Sequence, residues 1–213
     1  MCMGIPDDSL LISTVYLPPI DFIAALRKHN IVYIDIYENY LKQTYRNRCL
    51  IAAANGILSL SIPVIKTNGN HTAVKDIKID YSQSWQKIHW RSIESAYNSS
   101  PFFLYYMDIF DIFYKKKYTF LIDLNRNLLE KILKCLRISC EIKFTEDYQG
   151  QGKNLNDFRN LFSPKKKSNI KSFPEYTQVF SEKHSFIPNL SIIDLLFNEG
   201  NYAAEYVNKI EST

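Results

Sequence analysis

The chain has 213 residues, of which 46% are hydrophobic and 23% charged. That length supports one good core, and the composition excludes a disordered chain. The formal charge of +4 and the two short lysine runs, 115–117 and 165–167, argue against a nucleic-acid binder, which would carry a basic stripe. Glycine is sparse at 6, which leaves little for a glycine-built phosphate loop.

Taken in chain order, Leu10 to Ser13 read as a short buried strand. Tyr16-Leu17-Pro18-Pro19 form a turn, and Pro19 suits a helix start. Phe22, Ala25 and Leu26 recur at helical spacing up to Lys28. Ile31 to Ile34 form a second strand. Strand, helix and strand make a βαβ unit, so the two strands should run parallel. Arg48 to Ala54 leads into Asn55-Gly56, a strong hairpin signal, and Ile57 to Val64 returns. Residues 66–73 read as a polar loop, and Ile77 to Ile79 as a short strand.

Helices are expected from Trp85 to Tyr97, from Phe102 to Tyr114 and along the leucine stripe Leu121 to Leu136. Ile142 to Phe144 is a last strand. Residues 146–175, rich in glycine, asparagine and lysine, read as a long mobile loop. Order returns at Tyr176, and Ile192 to Asn198 and Ala203 to Val207 read as short helices that complete the fold over 176–213. The expected architecture is a single α/β domain over residues 1–213: a parallel βαβ unit, a β-hairpin and packed helices, plus one polar excursion.

Between the second strand and the hairpin lies the densest chemistry. Tyr37 to Arg48 hold Glu38, Lys42, Arg46, Asn47 and Arg48 among three tyrosines. If strand geometry covers Arg46 to Arg48, both guanidiniums share one face, suited to a diphosphate or carboxylate, with Asn47 on the other. Glu38 can act as a base or pair with Lys42 on a helical turn. Tyr16 follows the first strand, where ligands of parallel sheets bind. His89 lies on an apolar helix stripe beside Trp85 and Trp90, which fits a core histidine as well as a general base. Ser191 and Asp194 have capping-box spacing, and Asn189 is an alternative cap. That helix start can also bind an anion. Asn125 is a second-rank candidate. Cys49 reads as a half-buried strand cysteine rather than a nucleophile.

No GxGxxG, GxxxxGK, HExxH or GxSxG occurs, which excludes the standard dinucleotide enzyme, P-loop kinase, zinc protease and α/β-hydrolase. The four cysteines show no CxxC or zinc array, so no metal site is expected, and no cofactor is indicated. No apolar run reaches membrane-spanning length and no signal peptide is recognisable, so a cytoplasmic protein with free thiols is expected. The sequence gives no oligomeric state.

A family resemblance rests on pieces recurring in order. They are Tyr16-Leu17-Pro18, Lys42 with Tyr45-Arg46-Asn47-Arg48, Leu60-Ser61-Ile62-Pro63-Val64 and Ile79-Asp80. They continue with Trp85-Gln86-Lys87-Ile88-His89, Tyr97-Asn98-Ser99-Ser100-Pro101-Phe102, Tyr176-Thr177-Gln178-Val179-Phe180 and the run from Phe186 to Phe197. With these the chain resembles the WbqC-like family of bacteria, in a Bacteroidetes-type branch. Two departures stand out. Thr14-Val15 replaces the family's Gln-Pro, and Ile36-Tyr37-Glu38-Asn39 replaces its acidic residues and glutamine. The resemblance implies a transferase of an acyl or aminoacyl group, acting on a nucleotide-linked amino sugar during surface-polysaccharide (O-antigen) assembly. In that reading Lys42, Arg46 and Arg48 hold an anion and His89 or Glu38 moves a proton. Tyr16, Asn189 and Asp194 shape the acceptor pocket. The rival expectations are a non-catalytic protein that binds an anionic ligand or partner and, third, a single-strand nucleic-acid binder.

Overall fold

The computed structural model describes residues 9–150 and 156–210. Strand β1 (Leu10–Ile12), helix α1 (Ile20–Leu26) and strand β2 (Ile31–Ile34) form the expected βαβ unit, with β1 and β2 parallel. Strand β3 (Arg48–Ala53) and strand β4 (Gly56–Ser61) form the hairpin. Its register pairs Ala53 with Gly56, so Ala54 and Asn55 make the turn and Gly56 opens the return strand at φ +102°. The turn thus sits one residue earlier than Asn55-Gly56, because the glycine supplies its positive φ at the end of the loop.

The return strand also stops earlier than expected, at Ser61. Pro63 has no N–H to continue a ladder, and the chain starts a new strand, β5 (Val64–Ile65), antiparallel to β6 (Lys78–Ile79). A short 3-10 turn, Gly69–His71, occupies part of the stretch read as loop, and a second, Val74–Asp76, follows it.

Helices α2 (Trp85–Tyr97), α3 (Phe103–Lys115) and α4 (Leu121–Cys135) follow at the expected stripes. Strand β7 (Glu141–Phe144) then returns to pair parallel with β2, giving the sheet order β1-β2-β7. The chain ends in α5 (Ser181–His184), which has no counterpart in the sequence reading, then α6 (Ile192–Glu199) and α7 (Tyr202–Lys209).

Helix α6 is the hub. Residues Ile192 to Asn198 are all buried, and the helix packs on α1, α3 and α7. Gly200 ends it at φ +57°, and a Cβ there would sit 2.5 Å from the Phe102 ring. Both the left-handed backbone and the close approach require glycine.

The excursion at 146–175 has no helix or strand longer than a single bridge among its described residues, and residues 151–155 lie outside them. It lies beside β1: Leu11 N–H donates to Asn156 O at 3.1 Å and Phe158 N–H to Leu11 O at 2.8 Å. Phe162 meets Phe22 edge-on at 5.2 Å, while Arg159 and Ile170 are buried. Its polar composition therefore conceals apolar anchors that cover the β1 edge.

Candidate functional site

Three residues directly follow the three parallel strands: Ser13 after β1, Asp35 after β2 and Thr145 after β7. Ligands of parallel sheets bind beyond such carboxyl ends. Asp35 is fully buried. Its Oδ1 accepts the N–H of Tyr37 at 2.9 Å and of Glu38 at 3.1 Å, and the Thr145 hydroxyl at 3.2 Å. Its Oδ2 takes Arg159 Nη1 at 2.6 Å. Arg159 also forks onto Asp157, through Nε at 2.9 Å and Nη2 at 2.6 Å. Burial pushes the Asp157 carboxyl up, but the Arg159 guanidinium outweighs it and holds the carboxyl below its ordinary range.

Ser13 joins this cluster to a second ion pair. Its hydroxyl donates to Arg159 O at 2.8 Å and accepts from Arg46 Nη2 at 2.7 Å. Arg46 grips Glu38 bidentately, Nε to Oε1 at 2.9 Å and Nη2 to Oε2 at 2.7 Å. Burial raises the Glu38 carboxyl, and Arg46 opposes that rise. Buried ion pairs of this kind cost desolvation, and the extra bonds from Ser13 and the backbone offset it.

The polar run from Tyr37 to Arg48 therefore splits. Arg46 and Glu38 turn inward. Strand geometry begins only at Arg48, so the alternation that would align both guanidiniums does not reach Arg46. Arg48 Nε donates to Ser61 Oγ at 3.0 Å across the hairpin, and Lys42 is exposed. Glu38 pairs with Arg46 instead of Lys42, and Asn47 Nδ2 pins the hairpin return through Ile62 O at 2.7 Å. Asn125 Nδ2 donates to Thr14 Oγ1 at 3.1 Å and Arg46 O at 2.8 Å, and its own oxygen has no partner. Cys49 is fully buried, and burial pushes its thiol up, away from nucleophilic use.

His89 is 3% exposed and packs between Tyr16 and Trp85. Its Nδ1 lies 3.0 Å from the Tyr16 hydroxyl, which lies 2.8 Å from the Tyr114 hydroxyl. The other ring nitrogen is left to donate to the Ser61 carbonyl. One direction of donation satisfies every member: Tyr114 to Tyr16, Tyr16 to His89, His89 to Ser61. Burial lowers the histidine from 6.5 to about 4, so the ring is neutral.

At α6, the capping box does not form. Ser191 occupies the cap position, but its hydroxyl donates to Leu17 O at 2.9 Å. The Asp194 carboxylate faces the core instead, accepting Tyr97 at 2.8 Å, Tyr176 at 2.6 Å and Gln178 Nε2 at 3.0 Å. Asn189 caps a different helix: its Oδ1 accepts the Asp21 N–H of α1 at 2.9 Å.

A cavity of about 320 Å³ opens beside that cap, between α1 and the excursion. Asp21, Tyr45 and Asn189 form its polar floor, Phe158 and Phe162 an apolar wall, and Lys166 and Lys167 come from the excursion. Asp157 lines it too, so it adjoins the charged cluster at the strand ends. Asp21 is 7% exposed, and its Oδ1 has no hydrogen-bond partner. Burial raises its carboxyl, while the Ser168 and Asn189 side chains pull it back. Burial, then the nearby Asp21 charge, raises the Tyr45 phenol. The sequence reading passed over Asp21. The available signal was a lone acid inside the otherwise apolar run Pro18 to Leu26.

Among the described residues no group of three His, Cys, Asp or Glu side chains comes together to hold a metal, and no helix is long and apolar enough to cross a membrane.

The family model described as "WbqC-like protein family" matches residues 14–167 and 166–206. The chain is also similar to "Uncharacterized protein Rv1507c" of Mycobacterium tuberculosis (strain ATCC 25618 / H37Rv), at 27% identity over 202 residues, covering 83% of this chain and 86% of that relative. No solved structure matches.

Proposed function

We propose that this chain, which belongs to the WbqC-like protein family, is a transferase. It moves a small acyl or aminoacyl group onto the amine of a nucleotide-linked sugar in surface-polysaccharide assembly. The observation that carries the reading is the cavity at Asp21. A buried carboxyl with a raised pKa and one unpartnered oxygen faces the same space as two lysines. Such a space accepts a molecule with a hydrogen-bond donor at one end and an anion at the other. Its volume of about 320 Å³ is at the lower end for small-molecule sites.

In this reading Asp21 binds the acceptor amine, and Lys166 and Lys167 meet the phosphates. The amine nitrogen bonds to the carbonyl carbon of an activated acyl donor. The bond from that carbon to the donor's leaving group breaks, and its electron pair departs with that group. Asp21 takes the amine proton, a task suited to a carboxyl that burial makes more basic than an ordinary one. His89 and Glu38, first read as the proton carriers, serve here as structure, since both are buried in complete hydrogen-bond sets. The unpaired thiols of Cys49, Cys135 and Cys140 suit a cytoplasmic setting.

The test is thermal-shift screening with nucleotide-linked amino sugars, followed by mass spectrometry of the sugar after incubation with acyl and aminoacyl donors. A mass gain that Asp21→Asn abolishes supports the reading. Binding without any mass gain favours a non-catalytic ligand-binding protein, and no shift with any anionic sugar overturns both.

A further inference from the structure

A second cavity, of about 390 Å³, lies between the start of α2 and the end of α3 and shares no residue with the first. Its walls carry four aromatic rings: Tyr81, Trp85, Trp90 and Tyr114. Trp90 lies 5.4 Å from Tyr114 and stacks on Phe103 at 6.2 Å, and Trp85 meets Tyr114 edge-on at 6.4 Å. The wall is braced by Gln86, whose Nε2 donates to Phe113 O at 3.3 Å and Lys116 O at 2.6 Å, tying α2 to the end of α3. Rings held this way lose little freedom when a ligand stacks on them.

Two features lack an internal explanation. Trp85 is 3% exposed, and its buried Nε1–H has no hydrogen-bond partner. A buried indole donor ordinarily finds an acceptor. The charge is also unbalanced: Asp111 pairs with Lys115, which leaves Lys87 and Lys117 on the same cavity. The Lys117 ammonium sits 5.1 Å over the Tyr81 ring, which keeps it at the rim.

We infer that this groove binds a flat-faced ring bearing an anionic group. The ring face stacks on the aromatic wall, a ring oxygen or carbonyl accepts from Trp85, and the anion meets Lys87 and Lys117. A nucleoside monophosphate and a sugar acid share this chemistry. The site is independent of the Asp21 cavity and of the transfer proposed there.

The chain's two tryptophans, Trp85 and Trp90, both line this groove, so intrinsic fluorescence reports on it directly. The experiment titrates uridine monophosphate, glucuronate and their neutral counterparts uridine and glucose. The expected result is a saturable change with at least one anionic probe, with Kd below about 10 mM. Exposed Lys117, changed to Ala, should raise that Kd about threefold or more. Lys167→Ala, in the other cavity, should leave it unaltered. Saturation by uridine monophosphate alone identifies a nucleotide site, and by glucuronate alone an acidic-sugar site. The inference is overturned by no saturable change with either anion, or by equal Kd for the neutral counterparts. It is also overturned by a signal sensitive to Lys167→Ala and indifferent to Lys117→Ala.

Discussion

His89 gives the chain a specific acid sensitivity. The folded protein holds the ring neutral, with a pKa lowered by burial from 6.5 to about 4. The unfolded chain binds a proton below 6.5, and the folded chain refuses it until about 4. Stability from this residue is therefore complete above 6.5 and lost as the pH falls through that window. At about 1.4 kcal/mol per pH unit, the interval from 6.5 to about 4 amounts to roughly 3 kcal/mol. The comparison variant is His89→Gln. Its amide can accept from Tyr16 and donate to Ser61, but it takes no proton. Urea unfolding of both proteins from pH 7.0 downward is the assay. Near neutrality the variant should be less stable by about 1 kcal/mol for imperfect fit. That gap should close and reverse as the pH falls, because wild type carries an extra pH slope. Parallel stability curves would refute the buried, neutral assignment. Turnover lost in a variant of unchanged stability would return His89 to catalysis.

Further outcomes follow from the same geometry. Arg46→Ala leaves Glu38 buried without its guanidinium, and should cost about 3–5 kcal/mol in denaturant unfolding. Asp21→Asn should hold or raise the melting temperature near pH 7 while abolishing transfer. The folded carboxyl is raised, so its contribution is lost as the pH climbs through the folded value, and a neutral amide removes that cost. Gly200→Ala should destabilise by about 1–3 kcal/mol in thermal melts, from the left-handed backbone together with the Phe102 contact. Arg159→Ala should make the segment after Thr145 the first site of limited proteolysis, since Arg159 ties Asp35, Gln149 and Asp157 together.

The elements set by local pattern were legible. The βαβ unit, the hairpin and the stripes of α2, α3 and α4 follow from spacing and turn residues alone. What the pattern could not supply was the partner of each polar side chain. Tyr37 to Arg48 looked like one surface because its charges are adjacent in sequence. Yet Arg46 answers to Ser13 and Glu38, whereas Arg48 answers to Ser61 across the hairpin. Ser191 and Asp194 show the same limit. Their spacing fits a capping box, but Tyr97, Tyr176 and Gln178 claim the carboxylate from distant segments. Asp21 was missed for the opposite reason: its neighbours in sequence are apolar, and its cavity is closed by residues about 140 positions later.

The internal pairing at the strand ends also constrains where a ligand can enter. Asp35, Glu38, Arg46, Asp157 and Arg159 already have oppositely charged partners within hydrogen-bond distance. A substrate that displaced any of them would leave a buried charge unpaired, at several kcal/mol. Asp21 Oδ1 carries no such penalty, because it has no partner to lose. Thr14 and Glu38 both lie on this closed edge: Thr14 accepts from Asn125, and Glu38 holds Arg46. In the proposed transfer most ligand contacts then come from α1 and the excursion, so specificity for that substrate should follow changes at 156–170 more closely than changes at Glu38, Arg46 or Arg48.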